Sequence, residues 1–118
     1  MSAAGLAIEV KGEGAPVLLA HGLTATRRYV VMGSTALQRS GHRVISYDAR
    51  GHGDSGPAPD PAAYDYSDLA ADMIAVLEDT GTDRAVVAGA SMGAHTAVRL
   101  ALDHPERVAG LVLVTPAF

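Results

Sequence analysis

Five short apolar runs alternate along the chain with longer stretches in which apolar residues recur at helical spacing. Leu6 to Val10 reads as a short strand, with a turn over Gly12, Glu13 and Gly14 after it. Pro16 to Ala20 (Pro-Val-Leu-Leu-Ala) is continuously apolar, the pattern of a strand covered on both faces. His21 to Thr24 follows as a loop. Between Arg28 and Ser40 the spacing of Tyr29, Val30, Met32, Ala36 and Leu37 predicts a helix that Gly41 ends, weakened by Gly33 and Ser34. Arg43 to Tyr47 is the next strand. A polar loop from Asp48 to Tyr64 carries glycines at 51, 53 and 56 and prolines at 57, 59 and 61. Irregular connections of that length tend to be functional. Ser67 is a candidate N-cap for a helix reaching Asp79, whose stripe is Leu69, Met73, Ile74 and Leu77, with Gly81 beyond its end. Arg84 to Gly89 is a buried strand, Ser91 to Asp103 a helix stopped by Pro105, and Val108 to Thr115 the last strand.

Strands alternating with helices predict an α/β fold, a doubly wound and mostly parallel sheet in one domain covering residues 1–118. In such sheets ligands sit at the strand carboxyl ends. Segments 21–24, 48–56 and 89–93 all fall there, so they are expected to converge on one edge.

Composition narrows the function classes. The chain has 118 residues, 48% hydrophobic and 19% charged, so neither a disordered nor a collagen-like polypeptide fits. Its 9 basic and 13 acidic side chains give a net charge of −4 without a basic stripe, so no nucleic-acid partner is expected. With no cysteine there is no disulfide, thiolate metal site or cysteine nucleophile. No secretory leader or apolar run of about 20 residues is visible, so no membrane span is expected and the cytoplasm is the default location.

Gly89-Ala90-Ser91-Met92-Gly93 has the form G-x-S-x-G. Its context sharpens it, because the pattern needs a buried strand immediately before it and a helix immediately after. Both are predicted. A serine on such a tight turn is lifted clear of the sheet, and it lies at a helix N-terminus that favours developing negative charge. The plainer alternative is an ordinary serine cap between glycines.

Taken in order, His21-Gly22, the segment from Asp48 to Gly56 (Asp-Ala-Arg-Gly-His-Gly-Asp-Ser-Gly) and the elbow 89–93 resemble the third strand, fourth strand and nucleophile elbow of α/β-hydrolase fold proteins. The likeness is to the esterase, lipase and haloperoxidase type, and Asp103 to Val108 is a further familiar stretch. The resemblance implies Ser91 as the catalytic nucleophile of a serine hydrolase, forming an acyl-enzyme with a small-molecule acyl substrate such as an ester or thioester. It implies the backbone N–H groups of Leu23 and Met92 as the oxyanion hole, with His21, Gly22, Gly89 and Gly93 as structural parts of the motifs. No cofactor and no metal are called for. A serine rather than an aspartate argues against the dehalogenase and epoxide hydrolase branches.

In that family the triad continues with an acid and then a histidine after later strands. The last strand here corresponds to the family's sixth, so the domain is expected to be an incomplete N-terminal portion with Leu111 to Val114 as an exposed apolar edge. A second polypeptide carrying the acid, the histidine and the rest of the sheet is the expected partner. The alternative is a non-catalytic scaffold that self-associates through that edge. His21, His42, His52, His95 and His104 each read as structural, and a metal site at Asp48, His52 and Asp54 is a weaker reading than the family's loop.

Overall fold

The computed structural model describes residues 6–21, 36–50, 55 and 65–114. It holds strands β1 (Ile8–Lys11), β2 (Ala15–Ala20), β3 (His42–Tyr47), β4 (Ala85–Ala90) and β5 (Val108–Val114). Helices α1 (Ala36–Arg39), α2 (Tyr66–Asp79) and α3 (Met92–Asp103) alternate with them, and a 3₁₀ turn over Pro105–Arg107 leads into β5. The sheet order is β1-β3-β2-β4-β5. Only the β1–β3 pairing is antiparallel; β2–β3, β2–β4 and β4–β5 are parallel. The expected α/β class with a mostly parallel sheet is what forms.

Strand periodicity divides the core into two layers. Along β2, Leu18 and Ala20 face a cluster that contains Met73, Val76 and Leu77 of α2 and Ala97 and Leu100 of α3. Val17 and Leu19 face the other way, into a smaller cluster with Val44, against which Leu37 of α1 packs. Side chains alternate across a strand, so a continuous apolar run is the sequence a strand needs when both faces are covered. The part of the predicted 28–40 helix before Ala36 lies outside the described residues.

The N-terminus of α2 departs from expectation. Its N-cap is Asp65, not Ser67: the Asp65 carboxylate accepts from the Asp68 N–H at 3.0 Å, and the Ser67 hydroxyl donates to the same carboxylate. A full negative charge at a helix N-terminus competes better than a hydroxyl. At the other end, Arg43 donates to the carbonyl of the C-cap Thr80, a cation at the helix C-terminus, and Arg107 holds the connection that follows through the Thr82 and Asp83 carbonyls at 3.0 and 2.6 Å.

β5 is an edge strand among the described residues. Leu111, Val112, Leu113 and Val114 remain 40%, 51%, 40% and 49% exposed. Among the same residues, no helix is long and apolar enough to cross a membrane.

Helix α3 meets β2 almost backbone to backbone. A Cβ added at Gly93 would lie 2.6 Å from the Ala20 carbonyl carbon and 2.8 Å from the His21 carbonyl oxygen, atoms that cannot rotate away. Gly93→Ala is therefore expected to lower stability by about 3 kcal/mol, the upper range for forced overpacking. A urea midpoint moved by less than the equivalent of about 1 kcal/mol would contradict this contact. The Asp65 carboxyl is held below its ordinary range by the Ser67 hydroxyl first and the Asp68 N–H second. A depressed carboxyl adds stability above its unfolded value and loses it as the pH falls through the folded one. The Asp68 amide proton should carry a titration step below the usual carboxylate midpoint, and Asp65→Asn, which keeps a capping oxygen, should abolish that step.

Candidate active site

The carboxyl ends of β2, β3 and β4 bring segments 21, 48–50 and 89–93 together. Between β4 and α3, Ser91 has φ 53° and ψ −112°, and it is the one non-glycine residue with positive φ among those described. L-residues avoid this region because Cβ crowds the backbone, so a serine held there marks a turn that its surroundings force. The forcing groups are close at hand. A Cβ at Gly89 would lie 2.6 Å from the Ala94 nitrogen, and Gly93 is pressed on the end of β2. Glycine at both positions lets α3 close on β4 and on the end of β2.

The hydrogen bonds of the turn sort its backbone groups. The Ser91 N–H donates to the Val114 carbonyl at 3.0 Å, so β5 holds the elbow from the side. The Ser91 carbonyl accepts from Ala94 and His95 at 3.0 and 3.2 Å. The Ser91 side chain makes no capping bond, which sets aside the plain serine cap. Met92 is the first residue of α3, where an N–H has no partner within the helix. Hydroxyl and amide thus sit together at the positive end of a helix dipole, an arrangement suited to an oxygen that gains negative charge.

Next to the elbow, His21 is buried, and its Nε2 accepts a hydrogen bond from the Ala49 N–H at 2.8 Å. Asp48 is fully buried; its N–H donates to the Ala7 carbonyl at 3.0 Å. Ser55 bridges the same two residues, donating to the Asp48 carbonyl and accepting from the Ala7 N–H at 2.8 Å. Arg50 makes a two-pronged ion pair with Asp72 of α2, Nε and Nη2 each 2.7 Å from a carboxylate oxygen. Tyr47 lies beside this pair, and burial, with the Asp72 charge adding, pushes its hydroxyl well above the ordinary phenol range. A narrow cavity of about 10 Å³, lined by His21, Tyr47, Asp72, Met92 and Thr96 among others, separates the pair from the elbow. It has room for one water at most.

Of the residues singled out from sequence, Ser91, Met92, His21, Gly89 and Gly93 come together here. Gly22, Leu23, His52 and Asp54 lie outside the described residues. The other histidines are engaged elsewhere. His95 stacks on Tyr66 with ring centroids 5.4 Å apart, the His42 ring lies 3.3 Å from the Leu37 carbonyl, and His104 pairs with Glu106 at 3.4 Å. Among the described residues no cluster could hold a metal ion. Sequence reasoning missed Asp72 and Ser55. A carboxylate at 72, three residues after Leu69 on the buried side of α2, was the available signal; Ser55 offered none.

Comparison with known proteins follows this geometry. Residues 15–118 match the family model described as alpha/beta hydrolase fold. A protein of Variovorax paradoxus named for carbamate hydrolysis (RutD) is 44% identical over 108 residues, which cover 90% of this chain and 40% of that relative. Among solved structures, an esterase from Exiguobacterium antarcticum superposes with a TM-score of 0.83 at 30% identity, covering 92% of this chain and 40% of that one. An epoxide hydrolase from Vigna radiata reaches a TM-score of 0.89 at 26% identity, covering 96% and 37%. The chain thus spans well under half the length of the relatives it matches. With a parallel sheet, an elbow forced between β4 and α3 and a family match over nearly its whole length, the chain belongs to the α/β-hydrolase fold family.

Proposed function

We propose that the chain supplies the nucleophile of a serine hydrolase acting on an ester, thioester or related acyl compound. The observation that carries this reading is Ser91 in its positive-φ turn at the mouth of β4, beside the N-terminus of α3. The Ser91 oxygen attacks the acyl carbon while its proton passes to a histidine base. The bond from the acyl carbon to the leaving group then breaks, and the leaving group takes up that proton. Water hydrolyses the acyl-enzyme by the same steps in reverse order. The Met92 N–H is one oxyanion donor and the Leu23 N–H the other, each contributing about 3–4 kcal/mol to the transition state.

The histidine base and its acid partner are proposed to come from a second polypeptide that also extends the sheet beyond β5. The exposed apolar residues Leu111 to Val114 support that part of the reading. Ser91 stands where the resemblance gives the epoxide hydrolase branch an aspartate, so acyl transfer is favoured over epoxide opening. A chain without cysteine fits a reducing compartment, and the cytoplasm is proposed on that basis.

The same exposed edge favours one second reading, a non-catalytic scaffold in which copies of the chain associate through β5. The two readings part on a single experiment. The chain is mixed with a polypeptide supplying the remainder of the fold, taken from the Variovorax paradoxus relative, and treated with a fluorophosphonate. The hydrolase reading expects stoichiometric labelling at Ser91 by peptide mass spectrometry, hydrolysis of short acyl esters, and loss of both in Ser91→Ala by a factor of at least about 10³. A folded complex that stays unlabelled, with the chain running as a homo-oligomer in light scattering, would establish the scaffold instead.

A further inference from the structure

The His21 ring is buried at the end of β2, and its Nε2 lies 2.8 Å from the Ala49 nitrogen beyond β3. A backbone amide can only donate. The ring nitrogen facing it must therefore carry the lone pair, and the ring proton must sit on Nδ1. We infer that His21 is a positioning residue: as the neutral Nδ1–H tautomer it ties the end of β2 to the turn after β3, and its protonation releases that tie. The inference rests on the hydrolase reading, because the end of β2 packs on the first turn of α3, directly behind the proposed nucleophile.

The surroundings make the tie specific. The His21 carbonyl lies against Gly93 of α3, so a shift of this residue is passed directly to the first turn behind the nucleophile. Ala49 in turn is fixed from both sides, by the Asp48 N–H on the Ala7 carbonyl and by the Arg50–Asp72 pair. Protonating Nε2 would set two N–H donors against each other with no acceptor between them, in a site where an unpaired polar group is costly. The titratable groups that line the same cavity as His21 are Tyr47 from β3 and Asp72 from α2, the latter paired with Arg50, and Asp48 and Arg50 flank Ala49 along the chain; α3 contributes Met92, Gly93 and Thr96, which carry no charge.

The test needs a variant that keeps an acceptor but cannot titrate. Gln at position 21 places its amide oxygen near where Nε2 stood, whereas Ala removes the acceptor. The chain, labelled with 15N at histidine and alanine, is studied alone and in complex with the complementing polypeptide. Histidine nitrogen shifts are expected to show Nδ1–H on His21, and the Ala49 amide to lose exchange protection on acidification in the parent chain but not in His21→Gln. In the complex, fluorophosphonate labelling of Ser91 should fall at least tenfold in His21→Ala and recover in His21→Gln. Protonation of the base histidine slows both complexes at acid pH, so labelling of the parent should fall more steeply than that of His21→Gln, and a ratio of the two rates that does not change with pH would overturn the release on protonation. An Nε2–H tautomer, or an Ala49 amide indifferent to both pH and substitution, would overturn the tie. A parent complex that labels and a His21→Ala complex that labels equally fast would overturn the positioning role alone. A parent complex that fails to label overturns the nucleophile reading and the positioning role with it, while the amide measurement still decides the tie. Should His21→Ala not fold, the parent's pH profile against His21→Gln carries the same decision.

Discussion

The carboxyl-end architecture depends on one close approach, the backbone of α3 against the backbone of β2. Without side chains at 89 and 93, the first turn of α3 sits on the carbonyls of Ala20 and His21. That closeness leaves the residue between strand and helix no ordinary conformation, and Ser91 takes φ 53°. The strain is local, but its restraint is distributed: β4 leads into the turn, α3 out of it, and β5 accepts the Ser91 amide through Val114. The two strands and the helix that meet here thus fix the serine together.

A second set of restraints gathers at residues 48–50. They are tied to Ala7 just before β1, to His21 just after β2 and to Asp72 of α2. Three of these ties use a buried or half-buried polar group, which an apolar core would not need. Buried polar contacts of this kind contribute little net stability when satisfied and cost much when half satisfied. Their value lies in register: only one placement of the loop satisfies them all. The arrangement also explains why Tyr47 is forced to stay protonated, since a phenolate would face the Asp72 carboxylate in a dry setting.

Much of this was legible in the chain. The runs at 16–20 and 84–89 announced buried strands, 43–47 a further strand between them, and Gly89-Ala90-Ser91-Met92-Gly93 a tight turn. What local sequence could not show were choices between neighbours and partners across space. Ser67 and Asp65 are both good caps, and only the competition between a hydroxyl and a carboxylate for one helix end selects Asp65. Arg50 stands among the polar residues of the 48–64 loop, and its partner Asp72 is set by how α2 lies over β3. Ser55 looks like any loop serine until β1 is seen antiparallel to β3, bringing Ala7 beside Asp48.

The strand order has a consequence for synthesis on the ribosome. β2 lies at the centre of the sheet, yet its two neighbours are made later: β3 follows soon, whereas Val17 waits for Val86. At about 5–20 residues per second, roughly 4–14 s pass before β4 can cover that side. Throughout that interval the most apolar strand of the nascent chain presents an open hydrogen-bonding edge; α2 is made only late in it, and α3 after it. Chaperone contact with residues 15–20 during translation is the natural remedy for an order of assembly that the topology imposes.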